Sequence, residues 1–394
     1  MEKGENRVYL DYAATTPLDE AVLDAMMPYF REDFGNASSQ HAFGRRAVAA
    51  VDEAREKTAK VLGARSNEIY FTSGGTESDN WAIRGVAKAM RGKGKHIIST
   101  AVEHHAVLHT LRDLEAEGYE VTYLPVDDCG RVSVEDAVAA MREDTILLSV
   151  MLANNEIGTI EPVGEIARAA KERGILVHTD AVQAVGLLPL AIDDLCVDLM
   201  SLSAHKFYGP KGVGALYVRK GTKLGKILTG GAQERTMRGG TYNTAGIVGL
   251  GKAIELAEAR RTEEVKRLTA LRDHFVSRVL SEIEFAKLNG GKDRLANNAN
   301  IAFRYIEGAD LVSALDRAGI AASAGSACAS GTLEPSHVLQ AIGVSSEYGA
   351  VRFSLGKYTT KEDVDHAADI LFRETERLRK TDLFARRSAE KVTV

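Results

Sequence analysis

The chain has 394 residues, 45% of them hydrophobic, with a formal net charge of -5 at pH 7; that length makes two domains the default. Mild acidity without a long basic run excludes the electrostatic footprint of a nucleic-acid or anionic-membrane binder, and no apolar stretch reaches the length of a membrane span. Three scattered cysteines without CxxC spacing exclude a disulfide framework or a zinc cluster, leaving small-molecule chemistry in a reducing cytoplasm.

In chain order, the charged N-terminus leads straight into Val8-Tyr-Leu-Asp-Tyr12, without an apolar stretch of the signal-peptide kind. Short apolar runs then alternate with amphipathic ones. Glu68-Ile-Tyr-Phe71, His96-Ile-Ile-Ser99, Glu120-Val-Thr-Tyr-Leu124, Ile146-Leu-Leu-Ser-Val-Met151 and Ile175-Leu-Val-His178 read as buried strands. Most of the segments between them carry helical spacing. Pro162 and Gly174 mark the two ends of one connecting helix. The pattern is that of an α/β protein with a mostly parallel sheet. From about Gly251 to Glu284 it changes to one long amphipathic helix, with Val265, Leu268, Leu271, Phe275, Val279 and Ile283 on one face. A smaller α+β domain follows, containing Asn300-Ile-Ala-Phe303 and Val351-Arg-Phe-Ser-Leu355, and the first residues return to it. The domains are expected over 15–258 and over 1–14 with 259–394.

Two strand ends carry the first chemical signal. Asp180 closes the run from Ile175, and Lys206 closes Asp198-Leu-Met-Ser-Leu-Ser203-Ala-His-Lys206. An amine and a carboxylate just past buried strands suit pyridoxal phosphate, the lysine holding the aldehyde and the carboxylate keeping the ring nitrogen protonated. Either residue alone could equally solvate a strand end or cap a turn. Thr72-Ser-Gly-Gly-Thr-Glu-Ser78 follows a strand and opens a helix, so Gly75 and Thr76 could cradle a phosphate or simply form a cap. The near match to a nucleotide loop at Gly246-Ile-Val-Gly-Leu-Gly-Lys-Ala253 lacks the magnesium-binding hydroxyl and reads as helix packing.

Glu103-His104-His105 offers an imidazole that could stack on a ring and move protons. His105 and His109 are four apart, a metal-like spacing without the glutamate of HExxH, and no metal site is expected. Asn154-Asn155-Glu156 lies past another strand end, as a polar turn or a substrate contact. Arg352 points to the opposite face from Val351, Phe353 and Leu355, free to fork a carboxylate or to make a surface salt bridge. The glycine-rich stretch from Gly230 to Thr241 is loop filler or a second phosphate contact. Cys129 and Cys196 read as buried filler. Cys328 does not: it sits in Ala322-Ser-Ala-Gly-Ser-Ala-Cys328-Ala-Ser-Gly331, which can bury little apolar area, so a mobile loop with a reachable thiol is expected.

Together these segments resemble the cysteine desulfurases of the nitrogen-fixation and iron-sulfur-cluster type, pyridoxal-phosphate-dependent members of the class V aminotransferase family. The resemblance runs from Tyr9-Leu-Asp-Tyr-Ala-Ala-Thr-Thr-Pro17 to about Thr360. It includes Phe34-Gly-Asn36, Thr72 to Asn80, Ala153-Asn-Asn-Glu-Ile-Gly158, His178-Thr-Asp-Ala-Val-Gln183, His205-Lys206, Gly325-Ser-Ala-Cys328 and Arg352-Phe-Ser-Leu-Gly356. It implies the fold of type I pyridoxal-phosphate transferases, with the larger domain binding the cofactor and the smaller carrying Cys328. By the resemblance Lys206 is the Schiff-base lysine, Asp180 pairs with the pyridine nitrogen, Gln183 meets the ring hydroxyl and His104 stacks on the ring. Thr76, Ser203 and His205 hold the phosphate, with Thr241 supplied by the partner subunit of a homodimer. Asn155 and Arg352 fix the substrate carboxylate, and Cys328 accepts the sulfur as a persulfide.

The implied reaction turns L-cysteine into L-alanine and delivers sulfur to acceptor proteins, an iron-sulfur scaffold among them. Within the fold, a selenocysteine lyase or a cysteine-sulfinate desulfinase is the alternative, and a catalytically idle sulfur-relay or scaffold partner is the alternative of another class. Tyr242 departs from the pattern, following Thr241 where an acidic or small residue is more familiar. So does the polar C-terminus, which lacks the aromatic-bearing tail of the housekeeping members.

Overall fold

The computed structural model of the chain describes residues 7–324 and 336–381. After β1 (Val8–Tyr9), the predicted apolar runs form β2 (Ile69–Thr72), β3 (His96–Thr100), β4 (Glu120–Leu124), β5 (Thr145–Ser149), β6 (Leu176–Asp180) and β7 (Leu199–Ser203), followed by β8 (Gly214–Val218). They build one seven-stranded sheet in the order β2-β8-β7-β6-β5-β3-β4. The strands from β4 to β7 are parallel, and β8 runs antiparallel to both β7 and β2. Every residue of β3, β5 and β7 is buried, because the sheet is covered on both faces and no strand face needs to be polar.

Strand β8 is not among those the sequence predicts. It opens at Gly212-Val213-Gly214, which reads as loop, yet Gly214 is demanded by packing. A Cβ there would lie 2.5 Å from the Leu202 carbonyl oxygen and 2.7 Å from Gly74 Cα. Absence of the side chain therefore lets the turn after β2 lie directly over β8.

The connecting helix predicted from Pro162 to Gly174 spans Val163–Glu172, and Gly174 has φ +66°. The long amphipathic helix spans Thr244–Glu282, longer at its start than predicted, and contains the whole nucleotide-loop look-alike. Its N-terminal part, Ala245 to Ile254, packs into the interior under the large sheet. Its later part, Leu268, Phe275 and Val279, packs into a separate apolar cluster with Val8, Leu10, Phe303, Phe353 and Leu371.

That second cluster lies on β9 (Ala286–Asn289), β10 (Asn298–Arg304), β11 (Ile320–Ala321) and β12 (Tyr348–Ser354). Strand β10 pairs antiparallel with β12 and β9, and β1 runs parallel to β11, so the N-terminus does return to this region. The expectation for two cysteines fails. Cys129 and Cys196 are half-buried; Cys129 sits in a turn, and Cys196 ends the helix Ile192–Leu195 with φ +55° and its Sγ donating to the Asp193 carbonyl at 3.2 Å. Among the described residues, no helix is long and apolar enough to cross a membrane.

Candidate active site

The C-terminal ends of β3, β5, β6 and β7 open onto one cavity, where ligands of open parallel sheets bind. Its lining brings together Gly75, Thr76, His104, Asn155, Asp180, Gln183, Ser203, His205, Lys206 and Arg352. Thr241 is exposed and lies off this lining. Cys328 lies outside the described residues.

Lys206 ends a short 3₁₀ turn, Ala204–Lys206, directly after β7. Its Nζ donates to the carbonyls of Ala13 at 2.6 Å and Ala14 at 2.8 Å, so main chain helps to hold the amine. The Ala13 carbonyl also accepts Gln183 Nε2 at 3.0 Å. Sequence reasoning gave Ala13 and Ala14 no part, since a carbonyl leaves no side-chain signal.

Asp180 is the last residue of β6. It is buried and accepts the Val182 main-chain N–H at 2.8 Å. Burial raises its pKa, while the Val182 N–H and nearby Lys206 pull it back down. A buried carboxylate on a cavity wall is a site built to meet positive charge.

His104 caps the helix His105–Ala116, its Nδ1 accepting the Ala106 N–H at 3.1 Å. With Nδ1 used as an acceptor, the neutral ring carries its proton at Nε2. Burial, and then Lys206, push its pKa down to about 4, so it stays neutral at physiological pH. A neutral imidazole is the form that can lie against a ring and pass a proton.

Arg352 lies within β12 and is almost fully buried. Its Nη1 donates to the Asn155 carbonyl at 2.9 Å and its Nη2 to Asp11 Oδ1 at 2.9 Å, whereas Nε has no hydrogen-bond partner among the described residues. Its main-chain N–H donates to the Ser323 carbonyl at 2.7 Å. Asp11 is thus a counter-ion that sequence reasoning missed, although it stands within the quoted N-terminal motif.

A second hollow continues the cavity past Thr15, Gly74, Gly75, Thr76, Ser203 and His205. It meets the first turn of the 16-residue helix Gly75–Met90. Main-chain N–H groups at that turn have no helical partner and favour an anion. A Cβ on Gly75 would approach Val182 Cγ2 to 2.8 Å. His205 Nδ1 shares a hydrogen bond with Thr15 Oγ1 at 3.1 Å. Behind this hollow Arg238 grips Glu77 at 2.8 and 3.0 Å, tying the glycine-rich stretch to the helix start. Tyr242 turns away from the hollow, its hydroxyl accepting the Glu234 N–H at 2.9 Å.

These residues fit pyridoxal phosphate: hydroxyls and helix-start amides for the phosphate, a lysine for the aldehyde, and a buried carboxylate for the ring nitrogen. A lysine amine donating to two main-chain carbonyls and a carboxylate raised by burial, on the wall of one cavity, are the two observations that make the fit specific.

The family model described as "Aminotransferase class-V" matches residues 8–366. A curated relative from Dictyoglomus turgidum, "Cysteine desulfurase IscS", is 57% identical over 378 residues, covering 95% of this chain and 96% of the relative. One of the same name from Methanosarcina thermophila is 55% identical, covering 95% and 94%. Among solved structures, a "NIFS-LIKE PROTEIN" superposes with a TM-score of 0.89 at 41% identity, covering 94% of this chain and 99% of that one. Another, "SspA in complex with cysteine", gives a TM-score of 0.78 at 38% identity, covering 89% and 99%.

Proposed function

Because the chain belongs to the class V aminotransferase family, with cysteine desulfurases as close kin along nearly its whole length, we propose that it desulfurates L-cysteine. It is a pyridoxal-phosphate-dependent cysteine desulfurase, yielding L-alanine and sulfur for iron-sulfur cluster assembly. The supporting observation is that Lys206, Asp180, His104 and Arg352 line one cavity at the ends of parallel strands.

The cofactor, when bound, supplies an electron sink for the charge left on the substrate α-carbon. Asp180 holds positive charge on the ring nitrogen, and Gly75, Thr76, Ser203 and His205 hold the phosphate. Lys206 leaves the carbonyls of Ala13 and Ala14, and its free amine takes the α-proton. Arg352 and Asn155 orient the substrate carboxylate, and His104, neutral with its proton at Nε2, relays protons near the substrate.

Cys328, as thiolate, attacks the substrate sulfur. An S–S bond forms as the Cβ–S bond breaks, its electron pair stays on the β-carbon side, and a proton there completes alanine. The sulfur remains on Cys328 as a persulfide for transfer to an acceptor protein. The working enzyme is a cytoplasmic homodimer, with Thr241 serving the partner subunit's phosphate site. The domains are 15–258, and 1–14 with 259–394, a reading supported by the apolar cluster that joins Val8 and Leu10 to Leu268, Phe275, Phe303 and Phe353.

The test measures alanine and sulfide formed from L-cysteine with a reductant present, for the parent and Cys328→Ala side by side. Equal amounts of both products from the parent, lost in the variant, are expected. Alanine formed equally by both would replace this reading with a lyase of another substrate.

A further inference from the structure

The cavity wall holds a second carboxyl that the reaction does not use. Asp79 lies on the second turn of the helix Gly75–Met90 and lines the same cavity as Asp180. It is 1% exposed, and its Oδ1 has no hydrogen-bond partner among the described residues. The nearest base, His178 Nε2 in β6, stands 3.6 Å from that oxygen, too far for a hydrogen bond.

His178 gives no counter-charge either. Its two ring nitrogens meet the hydroxyls of Ser149 and Ser201, each at 2.9 Å, and burial pushes its pKa down to about 3. Asp180 on β6 and Glu103 beyond β3 add two further carboxyls facing Asp79. Glu103 accepts Thr100 Oγ1 at 2.8 Å and the Met151 N–H at 2.9 Å, and burial lifts its pKa to about 8. The Ser201 hydroxyl favours the charged form of Asp79, but burial and the neighbouring carboxyls outweigh it.

The two aspartates are therefore unequal. Asp180 has the Val182 N–H and the attraction of Lys206 to favour its charge, whereas Asp79 has one hydroxyl, Ser201, against a neutral imidazole and two carboxyl neighbours. Two adjacent buried carboxyls of unequal surroundings keep one proton, and it stays on the less stabilised carboxylate.

We propose that Asp79 is a positioning residue that stays protonated at working pH, so that Asp180 is the single charge presented to the ring nitrogen. This rests on the reading of Asp180 as the ring-nitrogen partner. A charged Asp79 would draw the same positive charge away from Asp180 or force Asp180 to take up a proton. A neutral acid does neither, and an amide can replace it.

The test uses Asp79→Asn, with Asp180→Ala as control, and two readouts besides turnover. The first is the thermal midpoint of the cofactor-stripped proteins between about pH 7 and pH 8.5, above the range in which the buried histidines affect stability. A folded-state proton on Asp79 contributes stability that is full below the unfolded carboxyl pKa and lost as pH rises through the raised folded value. Asp79→Asn should therefore lack part of the parent's fall in midpoint toward higher pH. The second is equilibrium affinity for pyridoxal phosphate at about pH 7, which the variant should keep within about threefold.

Identical pH dependence in parent and variant, or an affinity loss as large as that of Asp180→Ala, would overturn the proposal. Should Asp79→Asn not fold, Asp79→Ser is compared with the parent by infrared at about pH 7: loss of one protonated-carboxyl band beyond that of Glu103, which both proteins share, supports it, and identical bands overturn it. Full affinity in Asp180→Ala would instead remove the Asp180 reading, while the unfolding comparison would still decide the proton on Asp79.

Discussion

Tyr208 accepts the main-chain N–H of Lys357 on its hydroxyl at 2.6 Å, joining the turn just after Lys206 to the turn just after the Arg352 strand. The Tyr208 backbone sits at φ +66°, uncommon for a side chain with a Cβ, and is held there from both sides. Its N–H donates to Thr16 Oγ1 at 2.8 Å, and its carbonyl accepts the Asp19 N–H at 3.0 Å. Asp19 in turn accepts Lys357 Nζ at 2.5 Å. The two active-site elements are thus fastened to each other through a few polar contacts.

Tyr208→Phe leaves the Lys357 N–H without its acceptor. Lys357 is half-buried, so the loss falls toward the lower end of the about 1–3 kcal/mol that an unsatisfied buried donor costs. Urea unfolding should show a loss in that range, together with a rise in KM for cysteine as the Arg352 strand loosens. Unchanged stability and KM would mean that the hydroxyl does not couple the two turns.

Glu234 and Arg55 form a bidentate pair, Arg55 Nη1 and Nη2 donating at 2.7 and 2.8 Å, with both side chains buried. The pair holds Glu234, Arg235 and Thr236, which all have positive φ. Glu234→Ala strands a buried guanidinium and should cost roughly 3–5 kcal/mol. Because the same segment leads to Arg238 and its grip on Glu77, cofactor affinity should fall as well. Denaturant titration and cofactor titration of the purified variant check the two effects separately.

Strand ends made Lys206 and Asp180 legible in the sequence, because continuous apolar runs stop there and polar chemistry begins. That local pattern drew attention to both residues but left strand-end solvation and turn capping equally open, and only the other motifs weighed against those. Asp11 and Asp79 did not show their roles, since each depends on neighbours far along the chain. Asp11 is 341 positions from Arg352, and no periodicity links such a pair. Asp79 has a role only because helix packing over the sheet sets it beside Asp180 and His178. Strand β8 escaped for a related reason: Gly214 is needed for close approach to Gly74, yet it reads locally as loop. The cysteines mislead in the opposite direction, as a preference for burial did not foresee that Cys196 would end a helix in the left-handed region.

His178 lies between the Ser149 and Ser201 hydroxyls inside the sheet, and burial alone pushes its pKa down to about 3. The folded state therefore binds fewer protons than the unfolded chain below the ordinary histidine value. The stability this contributes is complete above about pH 6.5 and is lost as pH falls toward the folded value. His104 and His205, both pushed down to about 4, act in the same direction. The thermal midpoint should fall from about pH 6.5 to pH 4.5, and His178→Asn should flatten that slope by nearly one proton. An unaltered slope in the variant would show that His178 titrates normally.

Arg352→Lys separates charge from geometry. The guanidinium reaches the Asn155 carbonyl and the Asp11 carboxylate at once, and a single ammonium on a flexible stem cannot keep both contacts and also present a fork to a substrate carboxylate. Hydrogen bonds to charged groups contribute about 1.5–3 kcal/mol, so KM for cysteine should rise roughly ten- to a hundredfold. The rate at saturating cysteine should change far less, because Lys206, Asp180 and His104 keep their partners. A KM equal to that of the parent would remove Arg352 from carboxylate recognition and leave it as the counter-ion of Asp11. A fall in kcat at constant KM would instead mean that Arg352 acts on the reacting atoms rather than on binding.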